Sequence, residues 1–224
     1  MCGRFTIRDP RNHPISSYFG ILEGAQPARF NVAPSNTILV GRALYKTGSD
    51  NIELMPLWAR FGFLPHWAKP GTQPQINARG ETVAEKPFFR DAFKRNRCLV
   101  PADGWYEWKT EAGKKVPYYI QRPDHTGFFF AGLYSSTTNP DGTSNVTFCI
   151  VTSEASEDLR ELHDRMPVVV EEYNWVNWLD KNTRPEVLAE ILKPAPPGLY
   201  LATRVSTFVN RPANEGPGCI EPEK

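Results

Sequence analysis

The chain contains no apolar stretch long enough to cross a bilayer, and its start has no basic-then-apolar leader. Membrane contact is therefore not expected, and the reading is a cytoplasmic protein. Cysteine is scarce: four among 224 residues, Cys2, Cys98, Cys149 and Cys219, with no two at short spacing. That argues against a disulfide-stapled secreted scaffold and for a reducing compartment. Cys98 and Cys149 sit in apolar runs and read as core. No CxxC pair, HExxH helix or facial His/carboxylate pattern exists to hold a metal. No GxGxxG or Walker loop exists to cradle a nucleotide, and no GxSxG elbow to present a serine. No cofactor is expected. Charge of one sign is also missing: 26 Lys and Arg against 25 Asp and Glu leave a formal net charge of +1. A general polyanion binder is excluded, so a nucleic-acid surface has to be a local patch.

What is plentiful is proline, 21 residues, and tryptophan, six. Loops and irregular connections should be common. Strand composition marks Thr37–Tyr45 and Ile52–Phe63, with a turn-like Gly48-Ser49-Asp50-Asn51 between them. Cys98–Ala102, Trp105–Lys109, Tyr118–Gln121, Phe128–Tyr134, Val146–Thr152 and Leu199–Val205 also read as strands. Thr82–Arg95, Glu154–Leu162, Glu171–Leu179 and Pro185–Leu192 read as helices, with Pro185 suited to a first turn. The tail from Asn210 reads as extended. Strands dominate and helices do not alternate with them one for one. The expected class is α+β, with a mainly antiparallel, barrel-like sheet flanked by a few helices. No linker interrupts the chain, so residues 2–222 are expected to form a single domain, and the protein to be a monomer.

The second residue, Cys2, stands out. Cysteine is small enough for Met1 to be removed, which leaves a thiol and a free α-amine on adjacent carbons. The amine condenses with an aldehyde to an imine, and the thiol closes on the same carbon as a thiazolidine. The same amine can instead act as base for its own thiol, as in N-terminal nucleophile hydrolases. A buried small hydrophobe is the plain alternative.

Three further segments gather polar groups among apolar neighbours. The first is Ile76-Asn77-Ala78-Arg79-Gly80-Glu81-Thr82, a strand-like start leading toward a helix. In Asp103-Gly104-Trp105-Tyr106-Glu107-Trp108, strand alternation puts Trp105 and Glu107 on one face. A carboxylate beside a tryptophan tends toward a raised pKa and acid–base work, although Glu is mostly exposed. In Leu162-His163-Asp164-Arg165-Met166-Pro167, His163 alone of the four histidines is hemmed in by charged groups that can set its tautomer. His13, His66 and His125 are less well placed.

Taken in order, Met1-Cys2-Gly3-Arg4-Phe5, Phe30-Asn31-Val32-Ala33-Pro34, the Ile76–Thr82 run, Cys98–Trp108 and Leu162–Pro167 resemble the SRAP family (SOS-response-associated peptidase). The resemblance extends to the Cys219-Ile220-Glu221-Pro222 tail and is to the compact, bacterial-type form. It implies the SRAP fold. It also implies a sensor and shield of abasic sites in single-stranded DNA, which forms a covalent thiazolidine through Cys2. Reversal of the crosslink and lyase- or peptidase-type activity at the chain's own start are implied with it. By resemblance, Glu107 is the acid–base carboxylate, His163 assists ring opening, and Asn77 hydrogen-bonds the thiazolidine. Arg4, Arg79 and Arg165 hold flanking phosphates, for which guanidinium is suited. Trp67 stacks on or wedges beside a base. The family often has two adjacent aromatics there, whereas this chain has His66 before Trp67.

Two other readings stay open. Class II glutamine amidotransferases also begin Met-Cys-Gly and use Cys2 as an acyl-transfer nucleophile, but their later motifs are absent. A non-covalent reader of damaged DNA would make Cys2 incidental.

Overall fold

A computed structural model describes residues 2–10, 26–45, 52–138 and 142–223. The turn expected at Gly48–Asn51 and the residue His13 lie outside them. Five long strands close on one another. They are β3 (Thr37–Tyr45), β4 (Ile52–Phe61), β6 (Arg97–Ala102), β9 (Phe128–Thr138) and β10 (Ser144–Glu154). Neighbours run β10-β4-β3-β6-β9, and β9 pairs β10 to complete a barrel. Every pairing is antiparallel except β10 with β4.

The alternation of side chains explains why this barrel is stable. Cys98, Val100, Phe128, Phe130, Phe148 and Ile150 share one cluster with Phe5 and Trp105. Their neighbours Leu99, Phe129, Ala131, Cys149 and Val151 lie in a second cluster, under the helices. Each strand is apolar on both faces because each face is covered. Pro101 is tolerated in β6 because β3 pairs only with Cys98 and Leu99, so its missing N–H lies beyond that ladder.

A second, five-stranded antiparallel sheet packs against the first cluster. It joins β1 (Phe5–Ile7), β2 (Arg29–Val32), β7 (Gly104–Glu111), β8 (Lys114–Gln121) and β13 (Leu201–Arg204) in the order β13-β8-β7-β1-β2. Two short strands border the end of β10. β5 (Asn77–Arg79) runs parallel to it, with Arg79 opposite Thr152. β11 (Arg165–Pro167) runs antiparallel, with Pro167 opposite Thr152. A two-residue β12 (Val169–Val170) continues onto β9.

Helices are fewer and shorter than sequence composition suggests. In Thr82–Arg95 only α1 (Arg90–Arg95) is helical, and the rest is turns. Pro87 lacks the N–H that would extend the helix backward. The helix expected at Glu154–Leu162 is absent: Glu154 ends β10, and turns follow to a closure in which Ala155 N–H donates to Asp164 O at 2.9 Å. Glu171–Leu179 divides into a 3₁₀ turn, Glu172–Asn174, and α2 (Trp175–Leu179). α3 (Pro185–Ile191) begins at its proline as expected. The tail is not simply extended, since Pro217–Cys219 forms a 3₁₀ turn. Arg97 closes the helical side, its guanidinium donating to the carbonyls of Phe93, Trp178 and Asp180. The single-domain α+β expectation agrees with this architecture, and no helix among the described residues is long and apolar enough to cross a membrane.

Candidate active site

The site forms where β1, β5, β7 and the start of β11 approach one another. Antiparallel register places Phe5 opposite Trp105, and Tyr106 N–H donates to Arg4 O at 3.0 Å. Residues 2–4 therefore lie alongside the segment that carries Glu107. Asn77, at the start of β5, donates its side-chain amide to Cys2 O at 3.1 Å. The Asn77 Oδ1 is buried and accepts no hydrogen bond from a described residue.

Cys2 is fully enclosed. Burial pushes its thiol well above the ordinary value, and the nearby Glu107 carboxylate pushes it further. The group is a thiol, not a thiolate, at neutral pH. Glu107 is also buried, with 3% of its surface exposed. The exposed-strand alternative is thereby removed. Burial raises its carboxyl from the usual range to about 7, and the charge of Asp164 adds to the rise. Such a group exchanges protons readily near neutral pH.

His163 is partly exposed and its pKa is lowered, first by burial. Its Nδ1 accepts the backbone N–H of Arg165 at 2.9 Å. The same nitrogen lies 2.8 Å from Asp164 Oδ1. In a neutral ring these two contacts compete, since Nδ1 cannot accept and donate at once. The backbone donor is held in β11, whereas the Asp164 side chain is 79% exposed and can be solvated by water instead. The neutral ring therefore accepts at Nδ1 and carries its proton on Nε2. Asp164 becomes the partner of Nδ1 only on protonation.

The four basic or aromatic residues expected to hold DNA have different surroundings. Arg79 is exposed, and its side chain makes no hydrogen bond or ion pair with a described residue. It lines a polar cleft of about 400 Å³ together with Glu154, Arg160, Asp164 and Arg165. Trp67 is half exposed on its loop, edge-on to Phe88 at 6.1 Å between ring centroids. Arg4 is already engaged. It donates to Asn31 Oδ1 at 2.8 Å, to Val209 O at 3.1 Å and to Asn210 O at 3.4 Å, and lies over the Trp108 ring. Arg165 is buried, and forks onto Glu81 at 2.7 and 2.9 Å. A phosphate reaching Arg4 or Arg165 has to share or displace these partners.

Sequence reasoning assigned no role to Glu81, Thr152 or Arg160, all of which border this site. Glu81 lies in the Ile76–Thr82 run, but its partner Arg165 is 84 positions away and no local pattern links them. No group of His, Cys, Asp and Glu suited to a metal occurs among the described residues.

A family model described as SOS response associated peptidase (SRAP) matches residues 1–212. The chain is 39% identical over 228 residues to abasic site processing protein YoqW of Bacillus subtilis, covering 99% of both chains. It is 32% identical to abasic site processing protein YedK of Escherichia coli, covering 99% of this chain and 100% of the other. The fold is similar to that of a crystallised protein from Bacteroides thetaiotaomicron, at 22% identity and a TM-score of 0.76, with both chains fully covered. A phage-related protein from Bordetella bronchiseptica matches at 26% identity and a TM-score of 0.68, over 91% of this chain and 94% of that one.

Proposed function

The chain belongs to the SOS response associated peptidase (SRAP) family, and from that premise we propose that it senses abasic sites in single-stranded DNA and shields them as a thiazolidine on Cys2. The observation that carries this reading is the grouping of Asn77 and Glu107 around Cys2. The relatives' name, abasic site processing protein, supports the substrate.

The chemistry requires the Cys2 amine, so Met1 must first be removed, by an aminopeptidase or by the chain itself. The ring-opened abasic sugar offers an aldehyde. The amine adds to its carbon and water leaves, giving an imine. The thiol sulfur then bonds to that carbon, the imine electron pair moves to nitrogen, and the thiol proton ends on that nitrogen. No oxidant or metal is consumed. Because the thiol is held protonated by burial, closure needs a base beside it. Glu107, poised near pH 7, first gives a proton to the carbinolamine oxygen as water departs; the carboxylate so formed then takes the thiol proton and passes it to the ring nitrogen. His163, neutral with its proton on Nε2, assists ring opening and, by microscopic reversibility, release. The unmet Asn77 Oδ1 offers an acceptor for the ring N–H. Arg79 and Trp67 supply an open cation and a stacking surface for the strand.

The test is incubation with single-stranded DNA containing one abasic site, followed by a denaturing gel. A heat-stable adduct that requires Cys2 and is absent with intact DNA supports the reading. Glutaminase activity without an adduct would replace it with an amidotransferase. DNA binding by wild type with no adduct, unchanged in Cys2→Ala, would leave a non-covalent reader.

A further inference from the structure

Glu81 lies just beyond β5, the strand that carries Asn77. Its carboxylate grips Arg165 with both oxygens, at 2.7 Å to Nη1 and 2.9 Å to Nη2. The Arg165 Nη2 also donates to the carbonyl and the hydroxyl of Thr152, at 2.6 and 3.2 Å. The Thr152 carbonyl meanwhile accepts Gly80 N–H at 2.8 Å. The segment after Asn77 and the segment after His163 are thus tied to one residue of β10 from its two sides. Glu81 closes the tie between them. The pair is two-toothed, the arrangement that gives guanidinium–carboxylate contacts their orienting power.

The consequence reaches His163 through the backbone. The N–H of the clamped Arg165 is the donor at His163 Nδ1. Where that amide points sets which ring nitrogen carries the proton, in competition with the exposed Asp164 carboxylate.

We propose that Glu81 is a positioning residue of this site, acting through Arg165 to hold His163 in the Nε2–H tautomer. Glu81 touches neither substrate nor reacting atoms. It fixes the start of β11 against β10, so the donor amide stays aligned on Nδ1 and Asp164 cannot claim that nitrogen while the ring is neutral. The proposal rests on the abasic-site reading for its catalytic consequence, but the tautomer itself belongs to the DNA-free protein.

Nitrogen-15 NMR of histidine-labelled protein at about pH 8 reads the tautomer directly, without DNA. Wild type is expected to show His163 with protonated Nε2 and an accepting Nδ1. Glu81→Ala is expected to give mixed tautomers, and Glu81→Asp, which keeps the charge, to recover most of the wild-type pattern. In crosslinking, Glu81→Ala should slow adduct formation by about tenfold, the scale of a slightly misplaced catalytic group. Its affinity for DNA carrying an unreactive abasic analogue should change less than about twofold. Circular dichroism melts identify any variant that fails to fold, and the isosteric Glu81→Gln then carries the same comparison. An unchanged tautomer in folded Glu81→Ala or Glu81→Gln overturns the proposal. So does tighter DNA binding with an unchanged tautomer, which would make Glu81 a competitor of phosphate for Arg165. If wild type forms no adduct, the functional reading fails while the tautomer comparison still decides the role of Glu81.

Discussion

Asn77 donates its side-chain amide to the carbonyl oxygen of Cys2 at 3.1 Å, bridging 75 positions of sequence. The bond fixes the peptide of the residue that is to react, and leaves the Asn77 Oδ1 as a buried acceptor. Asn77→Ala should slow adduct formation by about 10- to 100-fold, because orientation at residue 2 is lost. The stability cost should be only about 1 kcal/mol, the net worth of one hydrogen bond. Asn77→Asp should be slower still, since a carboxylate oxygen would face the Cys2 carbonyl. Adduct rates and thermal melts check both variants.

Glu107 makes stability and activity oppose each other. Its carboxyl is raised from an ordinary 4.5 to about 7 by burial. Between those values the folded state binds more protons than the unfolded state, so stability falls as pH rises through that window and is level above it. Glu107→Gln keeps the shape without the charge. It should melt above wild type at pH 8, by an amount worth up to roughly 3 kcal/mol, with the gap closing toward pH 5. The same variant should lose about 10²- to 10⁴-fold in adduct formation with little change in DNA affinity. Equal losses in rate and affinity would remove its acid–base role.

Strands were legible in the sequence because period-2 alternation and β-branched or aromatic runs report burial on one or both faces. Thr37–Tyr45 matches β3 end to end for that reason. Helices were less legible. The Thr82–Arg95 and Glu154–Leu162 stretches have helical composition, but Pro87 breaks the first and closure onto Asp164 folds the second into turns. Cys2, Asn77, Glu107 and His163 each lay in a recognisable motif, and the fold brings the first three into one neighbourhood. The partners that decide how these groups behave were not legible. The Glu81 fork on Arg165 and the Asn31 grip on Arg4 join residues that only the three-dimensional sheet brings together.

Arg79 and Arg165 differ in what a phosphate would meet: an exposed guanidinium in one case, a guanidinium already paired with Glu81 in the other. Arg79 is exposed and lines the polar cleft, so Arg79→Ala should leave the melting temperature unchanged. It should weaken binding to single-stranded DNA and make the slope of log affinity against log salt shallower by about 0.7. Arg165→Ala removes a buried guanidinium from Glu81 and Thr152, and should cost about 1–3 kcal/mol of stability. Melting curves and salt titrations distinguish the two. An unchanged slope in Arg79→Ala would dismiss it as a phosphate ligand.

Gly104, the first residue of β7, is held to glycine by packing. A Cβ there would lie 2.2 Å from Tyr119 Oη and 2.3 Å from its ring. Tyr119 cannot easily yield, because its hydroxyl lies 2.8 Å from Thr6 Oγ1 and donates to Asp103 O. Gly104→Ala should cost about 3 kcal/mol or more and, by shifting β7, slow adduct formation through Glu107. Gly113→Ala is the contrast: its surroundings are open and only its positive φ of 77° resists, at about 1 kcal/mol. Thermal melts should rank the two in that order.

The amine and the thiol of Cys2 have separable fates, and that separation tests the proposed chemistry most directly. In Cys2→Ala the α-amine survives once Met1 is removed, so an imine with the abasic aldehyde still forms but has no thiol to close it. Imines hydrolyse readily, so no heat-stable adduct should be seen, yet borohydride should trap a covalent product by reducing the imine to an amine. Wild type closed as a thiazolidine has no C=N bond, and its adduct should neither need borohydride nor gain from it. Protein that retains Met1 keeps the Cys2 thiol but has its nitrogen in a peptide bond, so Cys2 can give neither the stable adduct nor the trapped one. Mass spectrometry of the N-terminal peptide locates the attachment. A stable adduct on protein that retains Met1 would show that the thiol alone suffices, and the paired amine–thiol mechanism would fall.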